Sequence, residues 1–442
     1  MSALRDLIAR AERYFEFEAL RTSWKTEILA GVTTFVTMAY IIFVNPSILH
    51  EAGMPAAAVT AATCLAAAVG SLLMGAFARY PIALAPGMGL NAYFTYSVVR
   101  GMGIDWRVAL GAVFLSGAAF LILTAAGVRQ TIVHAIPHEL YAAVAAGVGL
   151  FIALIGLKNA GIVEANPATL VGLGDLHAPS TLLALFGLLL TATLLCAGLK
   201  AAILIGALVT WVLSAAFGVA HWNAQAYSFE AISATAGKLD IRGALGIGFV
   251  EIVFVFLFVD LFDNVGTLLA VGKKAELFTR ANDVPRMNRI LCSDAAATVV
   301  GALSGTSTVV SYVESSAGVA AGGRSGVTAI VTGLLFVVAL FIAPLAGSIP
   351  TSATAPALIV VGSMMMTVVT EIAWKDPEIA VPAFLTMIAI PLTFNIANGL
   401  AFGFCSWTLL KLARGRFREV NWMVYLLTAL FIARFWYLTK SG

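Results

Sequence analysis

Fourteen apolar runs of 15 to 29 residues follow one another along this 442-residue chain, with short polar stretches between them. A helix of about 20 residues crosses the hydrocarbon core of a bilayer. Because lipid offers the backbone no hydrogen-bond partner, such segments must pair their own N–H and C=O groups, as helices do. Of all residues, 60% are hydrophobic and 11% are charged, whereas a soluble globular protein carries roughly 25% charged residues. The sequence therefore predicts an all-α polytopic membrane protein with 14 transmembrane spans.

The predicted spans divide into two halves of seven. The first half has spans at 26–44, 55–77, 81–99, 107–127, 138–157, 180–198 and 201–219. The second half has spans at 243–271, 288–303, 306–322, 326–346, 354–372, 379–396 and 398–412. We therefore predict an N-terminal segment, a first repeat, an extracytoplasmic linker, a second repeat and a C-terminal segment, at 1–25, 26–219, 220–242, 243–412 and 413–442. A last apolar run at 421–438 contains Arg434, and it either crosses the membrane or lies at its interface.

The distribution of lysine and arginine predicts the orientation of the chain. With the N-terminus in the cytoplasm, the inner segments carry 19 of these residues and the outer segments carry 5. Cytoplasmic loops are enriched in Lys and Arg, so we expect a cytoplasmic N-terminus in a plasma (inner) membrane. Residues 1–25 combine five basic residues with apolar residues at helical spacing, which predicts an amphipathic helix on the membrane surface.

Short similarities between the halves predict an internal repeat. Cys64 and Gly70 in the second span match Cys292 and Gly301 in the ninth, in the same order. A Gly-x-x-Phe string begins at Gly117 in the fourth span and recurs in the eleventh. Seven is an odd number, so two seven-span repeats must be inverted in the membrane. Inverted repeats are typical of secondary transporters, which bind substrate at the midplane where the repeats meet.

The third and tenth spans are interrupted at equivalent positions. Pro86 and two glycines stand inside the third span, where they disfavour a regular helix. The tenth span begins with the β-branched run 306–310, which favours an extended strand. We predict a short strand followed by a half-helix in each, with both half-helices directed at one central ligand. The alternative is a pair of kinked packing helices.

Three carboxylates break the apolar pattern. Asp260 and Asp263 share one face of the eighth span, and Glu314 stands at the strand-to-helix break of the tenth. A carboxylate at this depth costs several kcal/mol unless it faces a cavity or a partner, so it is functional by default and able to carry a proton. These spans place no Lys or Arg to neutralise it, which favours a neutral ligand with N–H donors over an anion. The alternative is that these carboxylates have only a structural role, and this alternative is strongest for Asp263.

Other site classes find no support. The four cysteines are far apart inside apolar runs, and the five histidines lie outside any Cys/His/carboxylate cluster, so we expect no metal and no cofactor. No serine has a histidine partner in its own segment, so we expect no enzyme, and hydroxyls such as Ser311 are expected to line a site. A net charge of +3 is too small to indicate nucleic acid.

Five strings together resemble the nucleobase/cation symporter superfamily, in its azaguanine-type hypoxanthine/guanine/adenine (purine) permease branch. They are AGVTTFVTMAYIIFVNP at 30–46, APGMGLNA at 85–92, GLKNAG at 156–161, FVDLFD at 258–263 and TSTVVSYVESSAGV at 306–319. The likeness extends from about Trp24 to Gly415. It implies two inverted seven-span repeats, with a core domain of spans 1–4 and 8–11 and a gate domain of spans 5–7 and 12–14. It also implies a homodimer that moves the core against the gate like an elevator, driven by the proton gradient.

The resemblance also implies which residues bind the substrate. Asp260 and Glu314 would hold the N–H edges of the base and serve proton coupling. Asn91 would contribute a polar side chain from the third span, near Gly89, and Asp263 would support the site. The backbone at Tyr312 and Val313 would face the ligand.

Two departures separate this chain from other branches of the superfamily. The uracil branch has a histidine where this chain has Asn264, which transfers the proton role to Glu314 or Asp260. The urate–xanthine branch has a Gln-Asn pair where this chain has Glu314-Ser315. An ionised carboxylate only accepts hydrogen bonds, and this property matches the donor-rich edges of guanine, hypoxanthine or adenine.

The leading hypothesis is a proton-coupled importer of purine nucleobases in a lipid bilayer. One alternative is a carrier of the same fold for another small solute, either uracil or xanthine or an inorganic anion such as sulfate or bicarbonate. An anion site would be cationic or free of carboxylates, and Asp260 and Glu314 argue against it. A membrane-embedded enzyme or a receptor-like binding protein is the other alternative.

Overall fold

The computed structural model describes residues 2–127, 137–220, 232–246, 249–277, 284–342 and 349–441. Its first half contains α1 Ser2–Tyr14, α2 Trp24–Met38, α3 Ile41–His50, α4 Ala56–Leu73, β1 Leu84–Pro86, α5 Met88–Ala92, α6 Trp106–Ala125, α7 His138–Asn159, β2 Val163–Asn166, β3 Leu170–Leu173, α8 Pro179–Cys196 and α9 Ala202–Ala216. Two π-helical segments, Met74–Ala78 and Tyr93–Gly101, continue α4 and α5.

The second half repeats the pattern of helices around one short strand. It contains α10 Ile241–Gly246, α11 Phe249–Lys274, α12 Met287–Ser304, β4 Val309–Ser311, α13 Ser315–Ala320, α14 Gly326–Ala339, α15 Thr351–Met365, α16 Pro377–Leu392, α17 Ile396–Ala413 and α18 Trp422–Ser441. Short 3₁₀ segments lie at Leu340–Ile342, Met366–Glu371 and Phe417–Glu419. Several helices begin at side chains that accept a hydrogen bond from the first turn, namely Ser23, Asp105, Ser325, Asp376 and Asn395.

The fold confirms the predicted architecture of 14 spans in two inverted seven-span repeats. Within the described ranges, seven helices are long and apolar enough to cross a bilayer, and four shorter apolar helices accompany them. Each predicted span corresponds to a helix or to a strand followed by a half-helix. The last apolar run forms α18, and whether α18 crosses the membrane stays a prediction.

The first span is one continuous stretch of helix, Trp24–His50, with a single tightened turn that was not predicted. Within it, α2 and α3 meet at Ala39 and Tyr40, where hydrogen bonds from Ile42 to Ala39 and from Phe43 to Tyr40 tighten one turn. Tyr40 lies at this turn in the protein interior, with 1% of its surface exposed.

The most extensive helix contacts fall into two groups. One group joins α2, α4, α6, α12 and α14, and the other joins α7, α8, α9, α15, α16 and α17. Close helix approaches depend on glycine: a Cβ on Gly75 would lie 2.7 Å from Cγ1 of Ile330, which leaves no room for a side chain between α4 and α14. Small residues at such contacts are typical of membrane helix packing.

Two segments outside the spans have defined structure. The expected N-terminal helix forms as α1, and its end is fixed by a 2.7 Å hydrogen bond from the Tyr14 hydroxyl to the carbonyl of Ala76. Its position on a membrane surface stays a prediction. The strands β2 and β3 form an antiparallel hairpin between α7 and α8, with Val163 opposite Leu173. The sequence analysis predicted no strand there, because the segment lacks a long β-branched run.

Candidate functional site

A two-stranded ribbon joins the two halves of the protein at the predicted site. Strand β1 of the third span pairs antiparallel with β4 of the tenth, and Leu84 lies opposite Ser311. Further backbone bonds extend the pairing, from Gly87 N to Thr308 O at 2.9 Å and from Tyr312 N to Ala83 O at 3.0 Å. The half-helices α5 and α13 start directly beyond the strands. This pairing confirms the predicted strands and rules out two kinked packing helices.

The outer edge of each strand is closed by one hydroxyl from the preceding span. Ser71 on α4 accepts from Leu84 N at 3.0 Å and donates to Leu84 O at 3.1 Å. Thr298 on α12 accepts from Val309 N at 3.2 Å and donates to Val309 O at 2.9 Å. The two hydroxyls occupy equivalent places in the two repeats. They satisfy backbone groups that would otherwise be unpaired in a membrane interior.

Glu314 lies at the first residue before α13, as predicted, and is 8% exposed. Its Oε1 accepts a 2.5 Å hydrogen bond from the hydroxyl of Tyr40. The two residues are 274 positions apart in the chain, and sequence reasoning missed Tyr40 although it lies inside one of the strings of the resemblance.

Asp260 lies fully buried on α11 and is connected to the ribbon through Asn264. The Asn264 amide donates from Nδ2 to Asp260 Oδ1 at 2.8 Å, and its Oδ1 accepts from the backbone N–H of Ser311 at 2.9 Å. Ser311 is three residues before Glu314, so Asn264 and strand β4 link the two predicted carboxylates. Asp263 is half-buried one turn further along α11 and lies within electrostatic range of Glu314.

Asn91 belongs to a buried network of neutral side chains. Its amide donates to Asn45 Oδ1 and accepts from the Ser307 hydroxyl. Asn45 in turn donates to Thr63 at 2.7 Å and to Thr306 at 2.9 Å. All five residues are fully buried, so the network fixes the first, second, third and tenth spans to each other. That Asn91 also contacts the base stays a prediction.

The remaining predicted residues have distinct surroundings. The Tyr312 hydroxyl donates to Pro86 O at 2.5 Å, and its backbone N–H is engaged by the ribbon. The side chain of Val313 is 41% exposed. Gly89 is buried where a Cβ would overlap with the Val148 side chain, so it permits the close approach of α5 to α7. The roles of all three toward a ligand stay predictions.

The two carboxylates of the site accept hydrogen bonds from uncharged side chains. Glu314 is paired with a hydroxyl, and Asp260 accepts from an amide. In the described part of the chain, no group of three His, Cys, Asp or Glu residues is arranged to hold a metal ion. The Oγ atoms of Ser311 and Thr308 are buried without a hydrogen-bond partner among the described residues. Buried polar atoms normally have partners, so these two hydroxyls are further candidates for ligand contact.

Comparisons with known proteins show the family of this chain. A family model described as the Permease family matches residues 25–402. The protein MJ0326 of Methanocaldococcus jannaschii, which carries a permease name, is 52% identical over 97% of this chain and 98% of its own length. The guanine/hypoxanthine permease PbuG of Bacillus subtilis is 46% identical over 96% of this chain and 99% of its own. The adenine permease AdeP of Escherichia coli is 43% identical, with coverages of 96% and 95%.

Solved structures of the same fold have little sequence identity with this chain. The transmembrane domain of a cyanobacterial bicarbonate transporter, BicA, matches with a TM-score of 0.63 at 15% identity, covering 85% of this chain and 96% of that one. SLC26A9 matches with a TM-score of 0.66 at 10% identity, covering 94% and 70%. These likenesses describe the fold alone.

Proposed function

Because the chain belongs to the Permease family, in its purine permease branch, we propose that it imports purine nucleobases together with protons as a secondary transporter. Guanine, hypoxanthine and adenine are the proposed substrates. The relatives named for these bases align over almost the whole chain. The protein is proposed to act as a permease and not as an enzyme.

One observation carries this proposal: Asp260 and Glu314, both buried, are connected through Asn264 and β4. Each carboxylate has an uncharged hydrogen-bond donor as its partner. A carboxyl oxygen that carries no proton accepts hydrogen bonds and donates none. A neutral planar ligand with N–H groups on its edges can donate to such oxygens, and a purine base has this property. We therefore assign the base to the space beside Asp260 and Glu314, with Asp263 in support.

The division into a core and a gate suggests how the site moves. The first group of packed helices comes from the proposed core, spans 1–4 and 8–11, and the second comes from the proposed gate, spans 5–7 and 12–14, which supports this division. The ribbon and both carboxylates belong to the core. At Gly89 the core helix α5 packs directly against the gate helix α7. We propose that the core slides along this boundary and carries the base across, as in an elevator.

Several features of the working protein belong to the same proposal. The N-terminus is proposed to lie on the cytoplasmic side of a plasma (inner) membrane, because 19 Lys and Arg residues fall on that side. The protein is proposed to work as a homodimer in contact with membrane lipids. Asn91, Gly89, Tyr312 and Val313 are proposed to line the base, and Glu314 and Asp260 to take part in proton coupling.

Uptake of labelled bases into proteoliposomes tests the proposal. We expect the wild-type protein to accumulate guanine, hypoxanthine or adenine when the outside is made acidic, and unlabelled purines to compete. Glu314→Ala is expected to abolish uptake while the protein still inserts and elutes as a single species. Tyr96→Phe is the control, because it removes a 3.1 Å hydrogen bond from a tyrosine to Glu51 outside the site. Full uptake by Glu314→Ala would contradict the assignment.

A further inference from the structure

The two buried carboxylates have hydrogen-bond partners of different kinds. Asp260 Oδ1 accepts from the amide of Asn264, and Glu314 Oε1 accepts from the hydroxyl of Tyr40. All four residues are at most 8% exposed, so water does not readily replace either partner. The chemistry of the two partners therefore decides which oxygen can change its protonation state.

The orientation of the Asn264 amide is fixed by the backbone. Ser311 N–H lies 2.9 Å from Asn264 Oδ1, and a backbone N–H can only donate. If the amide turned over, its NH₂ group would face this N–H, and its oxygen would face the Asp260 carboxylate. Both hydrogen bonds would be lost, at the cost of buried unsatisfied groups. Asn264 therefore presents a donor to Asp260 Oδ1 permanently, and this oxygen remains an acceptor.

The Tyr40 hydroxyl has no such restriction. A phenolic hydroxyl is both a donor and an acceptor, and its hydrogen can rotate. While Glu314 is ionised, Tyr40 donates to Oε1. When Oε1 binds a proton, the hydroxyl can turn and accept from it, so the bond between the two residues survives. Asn264 offers Asp260 Oδ1 no equivalent exchange.

Two other side chains that interact electrostatically with Glu314 do not take the place of Tyr40. They are Asp263 and Tyr312. Asp263 is a carboxylic acid and brings no phenolic hydroxyl. The Tyr312 hydroxyl is committed to the carbonyl of Pro86.

We propose that Tyr40 and Asn264 are positioning residues that give Glu314 Oε1 and Asp260 Oδ1 separate tasks, an inference that rests on the proposed proton-coupled transport. Tyr40 makes Glu314 Oε1 the atom that gains and loses the coupling proton. Asn264 keeps Asp260 Oδ1 as a constant acceptor. On the outside, Glu314 takes one proton from water and its O–H bond forms. On the inside, that bond breaks and the proton returns to water, while the Tyr40 hydroxyl turns back to donate.

This arrangement predicts that loss of the Tyr40 hydroxyl mainly slows the return of the empty carrier. After the base and the proton leave, Glu314 must return in its ionised form, and the Tyr40 hydrogen bond supports that charge. Exchange of one base for another needs no such return, because the carrier then moves with base and proton bound in both directions. Loss of the hydroxyl should therefore slow net uptake and spare exchange.

Two assays on the full-length protein in proteoliposomes separate these steps: guanine uptake driven by a pH gradient, and exchange of external labelled guanine for internal unlabelled guanine. We expect Tyr40→Phe to lower gradient-driven uptake at least tenfold and exchange less than threefold. Asn264→Ala is expected to lower both alike, through a KM for guanine raised about tenfold. Tyr96→Phe, which removes the other Tyr–Glu hydrogen bond, is the control and should change neither rate by more than twofold.

Equal losses in both assays for Tyr40→Phe would overturn the proposal, since a purely structural role predicts them, and so would unchanged rates. If Tyr40→Phe does not fold, the wild-type protein in deuterated water gives a second test. Net uptake should then slow at least twofold while exchange is unaffected, and equal slowing would contradict the assignment. A protonophore control tests the proposed function separately. Wild-type accumulation that is insensitive to the protonophore would contradict proton-coupled transport itself.

Discussion

Replacing Thr298 with valine should destabilise the ribbon at the centre of the protein. Valine has nearly the same shape, so the change removes the hydroxyl and leaves the packing in place. Two hydrogen bonds are lost, at 2.9 Å and 3.2 Å, both to Val309. The backbone N–H and C=O that they satisfied are buried and have no water to replace the hydroxyl.

The magnitude follows from those two groups. An unsatisfied buried donor or acceptor costs about 1–3 kcal/mol, so the loss of both partners in Thr298→Val should cost about 2–6 kcal/mol. At roughly 2–4 °C per kcal/mol, the unfolding midpoint in detergent should fall by about 4 °C or more. Ser71→Ala should cause a comparable loss, because Ser71 makes the same pair of bonds to Leu84 in the other repeat.

A fluorescence-monitored thermal unfolding series in detergent measures this effect. Thr193→Val is the matched control, because Thr193 is exposed and its hydroxyl only donates to a carbonyl of its own helix. Its midpoint should stay within about 1–2 °C of wild type. The reasoning is refuted if Thr298→Val melts with the control, since the two backbone groups would then not depend on the hydroxyl.

Three further changes test other contacts. Glu27→Ala removes the buried carboxylate that accepts four hydrogen bonds, two of them from backbone N–H groups at the start of α14, and should cost about 2–4 kcal/mol in thermal unfolding. Gly75→Val removes the close approach of α4 and α14 and should abolish the monodisperse peak in size-exclusion chromatography, whereas Gly246→Ala, with open space around it, should not. Lys411→Ala should lower the unfolding midpoint more than Arg416→Ala, because Lys411 is 11% exposed and Arg416 is 46% exposed beside the same carboxylate.

Each of these has a contradicting result. A wild-type midpoint for Glu27→Ala would mean that the carboxylate does not hold the start of α14. A monodisperse Gly75→Val variant would mean that the helices can separate without loss of the fold. Equal midpoints for the two basic-residue variants would mean that burial does not determine the strength of these ion pairs.

The spans and the interrupted segments were predictable because their signals are local. The length of each apolar run matches the thickness of the bilayer. Pro86 and the β-branched run before Tyr312 determine the backbone conformation at their own positions. The place of Glu314 at the start of a half-helix followed from the same local breaks. For these features, a few neighbouring residues contain the physical cause.

The partners of the site residues were not predictable because they are distant in sequence. Tyr40 reaches Glu314 across 274 positions, and Glu27 reaches the start of α14 across 298. Nothing near Thr298 in the chain indicates that its hydroxyl closes the edge of a strand. Asn91 stands out as a polar residue in a membrane span. The residues around it in the chain do not indicate that its amide is bonded to Asn45 and Ser307.

A structure of the protein determined with guanine bound tests the central claim most directly. The account predicts that the base lies beside the β1–β4 ribbon, with its N–H edges within hydrogen-bond distance of Asp260 and Glu314. In a structure determined with sulfate or bicarbonate instead of guanine, this place should be unoccupied. A base bound elsewhere, or an anion bound between these two carboxylates, would contradict the account.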